Sequence, residues 1–155
     1  MCRLCWVVVG LCLALPAFAS DAATRLVAAA AAGRATEVRD LLDQGADVNT
    51  ANGSGRPVLV MAGFNGNRRT ALVLLAAGAD VNAVDGAGTT ALMAASAFGH
   101  VALVDVLLAA GADANLKDAA GRSALARATL GGHTAVVEAL TAAGAVEGDV
   151  AAARK

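Results

Sequence analysis

Aromatic residues are nearly missing from this sequence: its 155 residues include one Trp, three Phe and no Tyr. The strands of a β-sandwich favour β-branched and aromatic residues, so the composition argues against that fold. Apolar residues make up 57% of the chain, and many of them are alanine, which favours helices. The composition therefore predicts an all-α fold of closely packed helices.

Excess positive charge is also missing, because 12 Lys and Arg residues face 13 Asp and Glu residues. A protein that binds the phosphate backbone of nucleic acid normally presents a basic face. With a formal net charge of −1, this chain gives no support for such a face. We therefore expect no nucleic-acid partner.

Cysteine is absent after the first twelve residues, which belong to a segment with the features of a secretion signal. Arg3 precedes an apolar run over residues 4–15, and Ala17-Phe18-Ala19 places small residues at a signal-peptidase site. The run is shorter than the ~20 residues that span a bilayer. We expect residues 1–19 to be a signal peptide cleaved after Ala19, with an uncleaved anchor as the alternative. All three cysteines lie inside it, at Cys2, Cys5 and Cys12.

The mature chain would then carry 11 basic and 13 acidic residues and no thiol. A chain without cysteine cannot form wrong disulfides in an oxidising compartment. We expect export to the bacterial periplasm with no stable membrane anchor after cleavage. Secretion to the medium is the alternative.

Five registers of the sequence recur at an interval of 33 residues. Leucine recurs at Leu26, Leu59, Leu92 and Leu125. Glycine recurs at Gly33, Gly66, Gly99 and Gly132, and again at Gly45, Gly78, Gly111 and Gly144. The other two registers hold Ala29, Ala62, Ala95 and Ala128, and Asn49, Asn82 and Asn115. A fixed period of this length predicts a solenoid, in which stacked units bury a continuous core that no single unit could bury alone.

The best copy of the unit reads Asp-Gly-Ala-Gly-Thr-Thr-Ala-Leu-Met-Ala-Ala over residues 85–95, followed by Gly99-His100 and Gly111-Ala112-Asp113. It resembles the ankyrin repeat, whose pattern is D-x-x-G-x-T-P-L-H-x-A-A-x-x-G-H and then V-x-x-L-L-x-x-G-A-D. The T-P-L-H tetrapeptide is never complete here. The resemblance implies an all-α solenoid of four helix-turn-helix repeats joined by hairpin-like loops. Their expected bounds are about 20–51, 52–84, 85–117 and 118–149, with a tail at 150–155.

Several signature positions have expected structural roles. Hydroxyl groups can cap the first helix of a repeat by accepting a backbone N–H, which we expect for Thr24, Thr90 and Ser123. The glycine register that begins at Gly33 should end that helix in a left-handed conformation. The paired leucines of each second helix should face the core. Tight turns are expected at Gly53, Gly86-Gly88 and Gly121.

No arrangement of residues indicates catalysis, a metal site or a cofactor, so we expect no enzyme. His100 and His133 hold the same position in successive repeats, one repeat apart, which favours a structural role over a shared metal ion. The acidic residues Asp47, Asp80 and Asp113 form a similar ladder in the loops. There, hydrogen bonds to the local backbone are a stronger interpretation than a cation site.

The resemblance implies that a partner binds along the hairpin tips and the first helices. Exposed Phe64 and Phe98 would suit interface anchors, although each ring could instead fold onto the next repeat. Arg68 and Arg69 open a helix against its macrodipole, which suits either an acidic partner or a screened surface. With Arg56 and Arg122 they would form a modest basic patch. The residues expected to bind a partner are Arg56, Phe64, Asn65, Arg68, Arg69, Thr89, Phe98, Arg122 and Leu130.

The chain resembles small exported bacterial proteins of the ankyrin-repeat family. That resemblance implies a non-catalytic protein–protein binding module or scaffold in the periplasm, accessory to another protein there. A stress-related role and an immunity role are both compatible with it. The alternative is a structural protein that self-associates through the apolar end of its last repeat, although we expect a monomer.

Overall fold

The computed structural model describes the backbone of residues 17–146 and the side chains of residues 21–146. Residues 1–16 of the expected signal peptide and the expected tail at 150–155 lie outside this range. Eight helices in four pairs make up the described part of the chain. They are α1 (Ala17–Ala31), α2 (Ala35–Asp43), α3 (Val58–Asn65), α4 (Arg68–Ala76), α5 (Ala91–Ala97), α6 (Val101–Ala109), α7 (Ala124–Gly131) and α8 (Thr134–Ala142).

The helices form two layers, because each packs on the equivalent helix of the neighbouring repeat. The first helices α1, α3, α5 and α7 stack in one layer, and the second helices α2, α4, α6 and α8 stack in the other. A single apolar core runs between the layers through all four pairs. Each layer places a buried leucine at the same register of every repeat, namely Leu26, Leu59, Leu92 and Leu125 in the first layer and Leu41, Leu74, Leu107 and Leu140 in the second. The predicted helical solenoid is confirmed.

Two of the three predicted helix caps are present. The hydroxyl of Thr90 accepts the backbone N–H of Met93, and that of Ser123 accepts the backbone N–H of Ala126. The prediction for Thr24 is wrong, because α1 begins at Ala17 and Thr24 lies inside it. The alanine-rich sequence before Thr24 continues the helix, so that position has no free helix end to cap.

Glycine ends the first helices as predicted. Gly33, Gly66, Gly99 and Gly132 have φ angles between 68° and 73°, in the left-handed region that only glycine adopts at little cost. In the hairpin loops the left-handed residues are Gly55, Gly88 and Gly121. The backbone N–H of Gly55 donates to the carbonyl of Asn52, so Gly53 lies inside the tight turn predicted there.

The hairpin loops are short and stand between each second helix and the next first helix. In the described residues they form single antiparallel bridges, between Ala51 and Pro57 and between Val84 and Thr90. A backbone hydrogen bond from Ala119 to Ala87 joins two successive hairpins. None of the described helices is long and apolar enough to cross a membrane.

Candidate functional site

The polar residues that follow the helix-ending glycines tie each repeat to the one before it. Nε2 of His133 lies 3.0 Å from the carbonyl oxygen of Ala97, and Nε2 of His100 lies 3.4 Å from that of Phe64. In the second repeat Asn67 takes this position and donates to Ala30. The imidazoles therefore hold the stack together, which supports their structural interpretation. The described residues contain no cluster of three potential metal ligands.

The loop aspartates act locally and the asparagines next to them act between repeats. Asp80 accepts the backbone N–H of Asn82, two residues later, at 3.0 Å. Asp47 and Asp113 accept the backbone N–H groups of Asn49 and Asn115 in the same way. The side chain of Asn49 accepts the backbone N–H of Asp80, 31 residues later. The ladder of acidic residues is therefore a set of backbone-capping groups, as the sequence favoured.

A second set of aspartates organises the hairpins. Oδ1 of Asp85 accepts the backbone N–H groups of Ala87 and Thr89, and Oδ1 of Asp118 accepts those of Ala120 and Arg122. Each carboxylate also receives an arginine on its other oxygen. Nε of Arg56 lies 3.3 Å from Asp85, and Nε of Arg122 lies 3.0 Å from Asp118. The hairpins thus hold two arginines in fixed positions.

Arg127 was not singled out from the sequence, although it occupies the centre of this arrangement. Its Nη2 donates to both the carboxylate of Asp118 and the hydroxyl of Thr89, and its side chain is only 13% exposed. The sequence nevertheless distinguishes this position, because Arg127 is the only charged residue of α7. A continuous chain of hydrogen bonds consequently runs from Arg56 to Arg122 across three repeats.

Hydrogen bonds and nearby arginine charge lower the pKa of both hairpin carboxylates, Asp85 and Asp118. Burial by itself would raise the pKa of Asp118. Hydrogen bonds from the backbone N–H of Arg122 and from the Arg127 guanidinium outweigh burial and lower that pKa to about 2. The pKa of Asp85 is also lowered, since the backbone N–H groups of Thr89 and Ala87 and the charge of Arg56 outweigh its burial. Both side chains are therefore ionised at neutral pH.

Phe64 and Phe98, the two phenylalanines whose side chains the structure describes, lie against each other. Their ring centroids are 5.8 Å apart in an edge-to-face arrangement, and the Arg56 guanidinium carbon lies 4.4 Å from the Phe64 ring centroid. Phe98 also stacks on His100, with the two ring centroids 6.2 Å apart. Phe98 remains 56% exposed, whereas Phe64 is half-buried and packs on the core. We call Arg56, Phe64 and Phe98 the aromatic face.

Comparison with known families agrees with this geometry. Residues 59–150 match the family model described as ankyrin repeats in three copies. The chain is an ankyrin-repeat protein. None of the curated proteins matches it. Ankyrin repeats generally mediate protein–protein interaction and are typically non-catalytic.

The predicted partner-binding residues of this ankyrin-repeat protein are not all at its surface. Thr89 is buried at 3% exposure, because its hydroxyl faces Arg127, so its expected place at an exposed hairpin tip is wrong. Phe64 is less exposed than predicted, because Phe98 and Arg56 cover its ring. Leu130 is 65% exposed. Asn65 is exposed, and its amide donates to the carbonyl of Ala31.

The four arginines of the expected basic patch do not act as one group of equivalent charges. Arg56 and Arg122 are held by carboxylates in the hairpins. Arg68 and Arg69 are exposed in the first turn of α4, at the other end of the repeat. Arg69 lines a cavity of about 560 Å³ between α2 and α4, with Arg39 and Leu72.

Proposed function

We propose that this chain binds a partner protein through its aromatic face. The observation that carries the proposal is the exposure of Phe98, which is 56% accessible although the half-buried ring of Phe64 lies directly beside it. Aromatic side chains and arginine are enriched among the residues that contribute most to binding energy. The chain holds both residue types in contact, on the layer of first helices.

The aromatic face is rigid before any partner arrives, which favours binding. Phe98 contacts the rings of both Phe64 and His100, and His100 is itself held against the carbonyl of Phe64. Arg56 is fixed by Asp85 on one side and by the Phe64 ring on the other. A surface whose side chains are already ordered loses less conformational entropy on association. This face therefore suits a preformed anchor site.

We further propose that the protein acts in the bacterial periplasm, as an accessory or scaffold to another protein there. Support comes from Arg3, the apolar run at 4–15 and the Ala17-Phe18-Ala19 sequence. Cleavage after Ala19 would leave the core of α1 intact, because its described buried side chains begin with Leu26. Sequencing the amino terminus of the exported protein tests this, with Ser20 expected as its first residue.

The binding proposal is tested by capture from a periplasmic extract of the bacterium that makes the protein. The mature chain, its Phe98→Ala variant and its Leu72→Ala variant are used in parallel, and bound proteins are identified by mass spectrometry. Leu72 is a matched control, since it is also an exposed apolar residue, at 42%, but lies on α4 in the other layer. We expect a protein that is retained by wild type and Leu72→Ala and lost with Phe98→Ala. Equal retention by all three would contradict the proposed face.

Self-association is a second candidate, favoured by the end of the last repeat. A cavity of about 330 Å³ there is lined by Thr129, His133, Val137 and Glu138, and Leu130 nearby is 65% exposed. Light scattering across a concentration series measures the mass of the mature chain. A mass that rises with concentration in wild type but not in Leu130→Glu would favour this candidate, whereas a constant monomer mass would rule it out.

A further inference from the structure

Arg56 and Arg122 occupy the same register two repeats apart, and an aspartate holds each of them: Asp85 of the next repeat holds Arg56, and Asp118 of its own hairpin holds Arg122. Nε of each guanidinium donates to an aspartate whose own side chain is nearly inaccessible, at 7% for Asp85 and 2% for Asp118. The arginine side chains themselves are 40% and 51% exposed. The carboxylates therefore orient the guanidinium groups from behind, while solvent and any partner meet the arginines.

The charge of this region is positive, although the chain is acidic overall. Three arginines share two carboxylates, because Arg127 joins Asp118 and Arg122. The hairpin tips at 53–55, 86–88 and 119–121 contain no charged residue. Between residues 52 and 146, the exposed acidic side chains lie only on second helices and the loops that follow them, at Asp80, Asp105, Asp113 and Glu138. From the second repeat onward, the hairpin side of the first-helix layer thus presents donors without competing exposed carboxylates.

We propose that the partner binds this surface with an acidic segment, whose carboxylates pair with Arg56 and Arg122 and whose apolar side chains contact Phe98. This inference rests on the proposed function of the aromatic face and adds the chemistry of the partner. Guanidinium groups held in place are well suited to carboxylates, since their parallel N–H donors match two oxygens. Arg56 belongs to both features, because its guanidinium also covers Phe64.

The spacing of the arginines sets the spacing of the acidic residues. The two guanidinium groups contact Asp85 and Asp118, which hold the same register one repeat apart. Neighbouring packed helices are about 8–10 Å apart, so we expect about the same distance between the two guanidinium groups. An extended peptide rises about 3.3 Å per residue, which places its two acidic residues about two or three positions apart. The apolar contact to Phe98 is expected beside Arg56, because Phe98 lies against the Phe64 ring that Arg56 covers.

A library of random 16-residue peptides displayed on phage tests the inference directly, because selection from it requires no identified partner. Peptides are selected on the mature chain and then titrated against wild type, Arg122→Gln, Arg56→Gln, Phe98→Ala and the control Arg39→Gln. Arg122→Gln is the sharpest variant, because Asp118 keeps Arg127 and two backbone N–H donors. Arg39 is an exposed arginine on α2, outside the hairpins. Thermal unfolding of each variant checks that the fold is retained.

We expect the selected peptides to be rich in Asp and Glu around an apolar residue. Arg122→Gln and Arg56→Gln should each weaken their binding about tenfold or more, as expected for a lost charged hydrogen bond. Arg39→Gln should have no effect, and added salt should weaken binding. Peptides that require Phe98 but lack acidic residues and tolerate Arg122→Gln would overturn this inference and leave the proposed function standing. Peptides that bind Arg122→Gln and Phe98→Ala as tightly as wild type would count against both proposals. So would a selection that yields no peptides.

Discussion

Arg127 on α7 shares one nitrogen between the carboxylate of Asp118 in its own repeat and the hydroxyl of Thr89 in the repeat before. The contact joins two repeats through a side chain that is almost fully buried, at 13% exposure. We expect Arg127→Ala to lower the free energy of unfolding by about 2–3 kcal/mol, because it leaves a buried carboxylate with fewer donors. Urea unfolding followed by circular dichroism measures this loss.

The matched control for that change is Arg122→Ala. Arg122 donates to the same carboxylate but is 51% exposed, so its loss should cost under about 1 kcal/mol. If the two variants lost equal stability, the central position given to Arg127 would be wrong.

The pH dependence of stability should reflect Asp118. Folding lowers its pKa to about 2 from an ordinary value of about 3.9, so the folded chain favours the ionised form. The stabilisation is therefore complete above about pH 5 and is lost as the pH falls through 4 towards 2, amounting to about 2–3 kcal/mol. Asp85 contributes in the same direction. Urea unfolding between pH 2 and 6 should show a smaller slope for Asp118→Asn than for wild type, and unchanged slopes would contradict the assignment.

Gly99 and Gly132 offer a matched pair of glycines. Both end a first helix with nearly the same backbone angle, φ of 73° and 71°. A Cβ on Gly99 would lie 2.5 Å from Nδ1 of His133, whereas a Cβ on Gly132 would meet no described atom within 4 Å. Gly132→Ala should cost about 1–2 kcal/mol for the left-handed backbone alone. Gly99→Ala should cost more, because His133 must also move, and equal midpoints of urea unfolding would exclude that crowding.

The buried hydroxyl of Ser96 predicts a substitution that stabilises the fold, unlike the changes above. Ser96 on α5 is fully buried, and its Oγ has no hydrogen-bond partner among the described residues. Leaving a polar group buried without a partner destabilises a fold, and alanine is also the best helix former. Ser96→Ala should therefore raise the free energy of unfolding by about 1 kcal/mol. A destabilised variant in the same urea titration would show that the hydroxyl is solvated or bonded.

The sequence predicted those features of the fold that depend on one period. The paired leucines of each second helix were assigned to the core, where Leu41, Leu74 and Leu107 are buried, and the left-handed Gly33 follows from the same period. A helix cap was correctly placed at Thr90 by its position before an apolar run. These features recur because equivalent side chains pack in the same way in every repeat.

The features that the sequence did not reveal are those in which one repeat departs from the others. Arg127 stands where the other repeats have Ala28, Met61 and Ala94, so the period gave no reason to pair it with Asp118. The burial of Thr89 depends on that same arginine. Contacts between unlike side chains of different repeats become visible only when the repeats are stacked.

The affinity of the aromatic face for the captured partner is the most direct test of the proposed binding function. Calorimetric titration of that partner compares the mature chain with Phe98→Ala and with the control Leu72→Ala. We predict that Phe98→Ala raises the dissociation constant at least about tenfold, since truncating an anchor residue costs more than about 1.4 kcal/mol. Leu72→Ala should bind like wild type. If Phe98→Ala bound as tightly as wild type, the partner would use another surface and the central claim would be wrong.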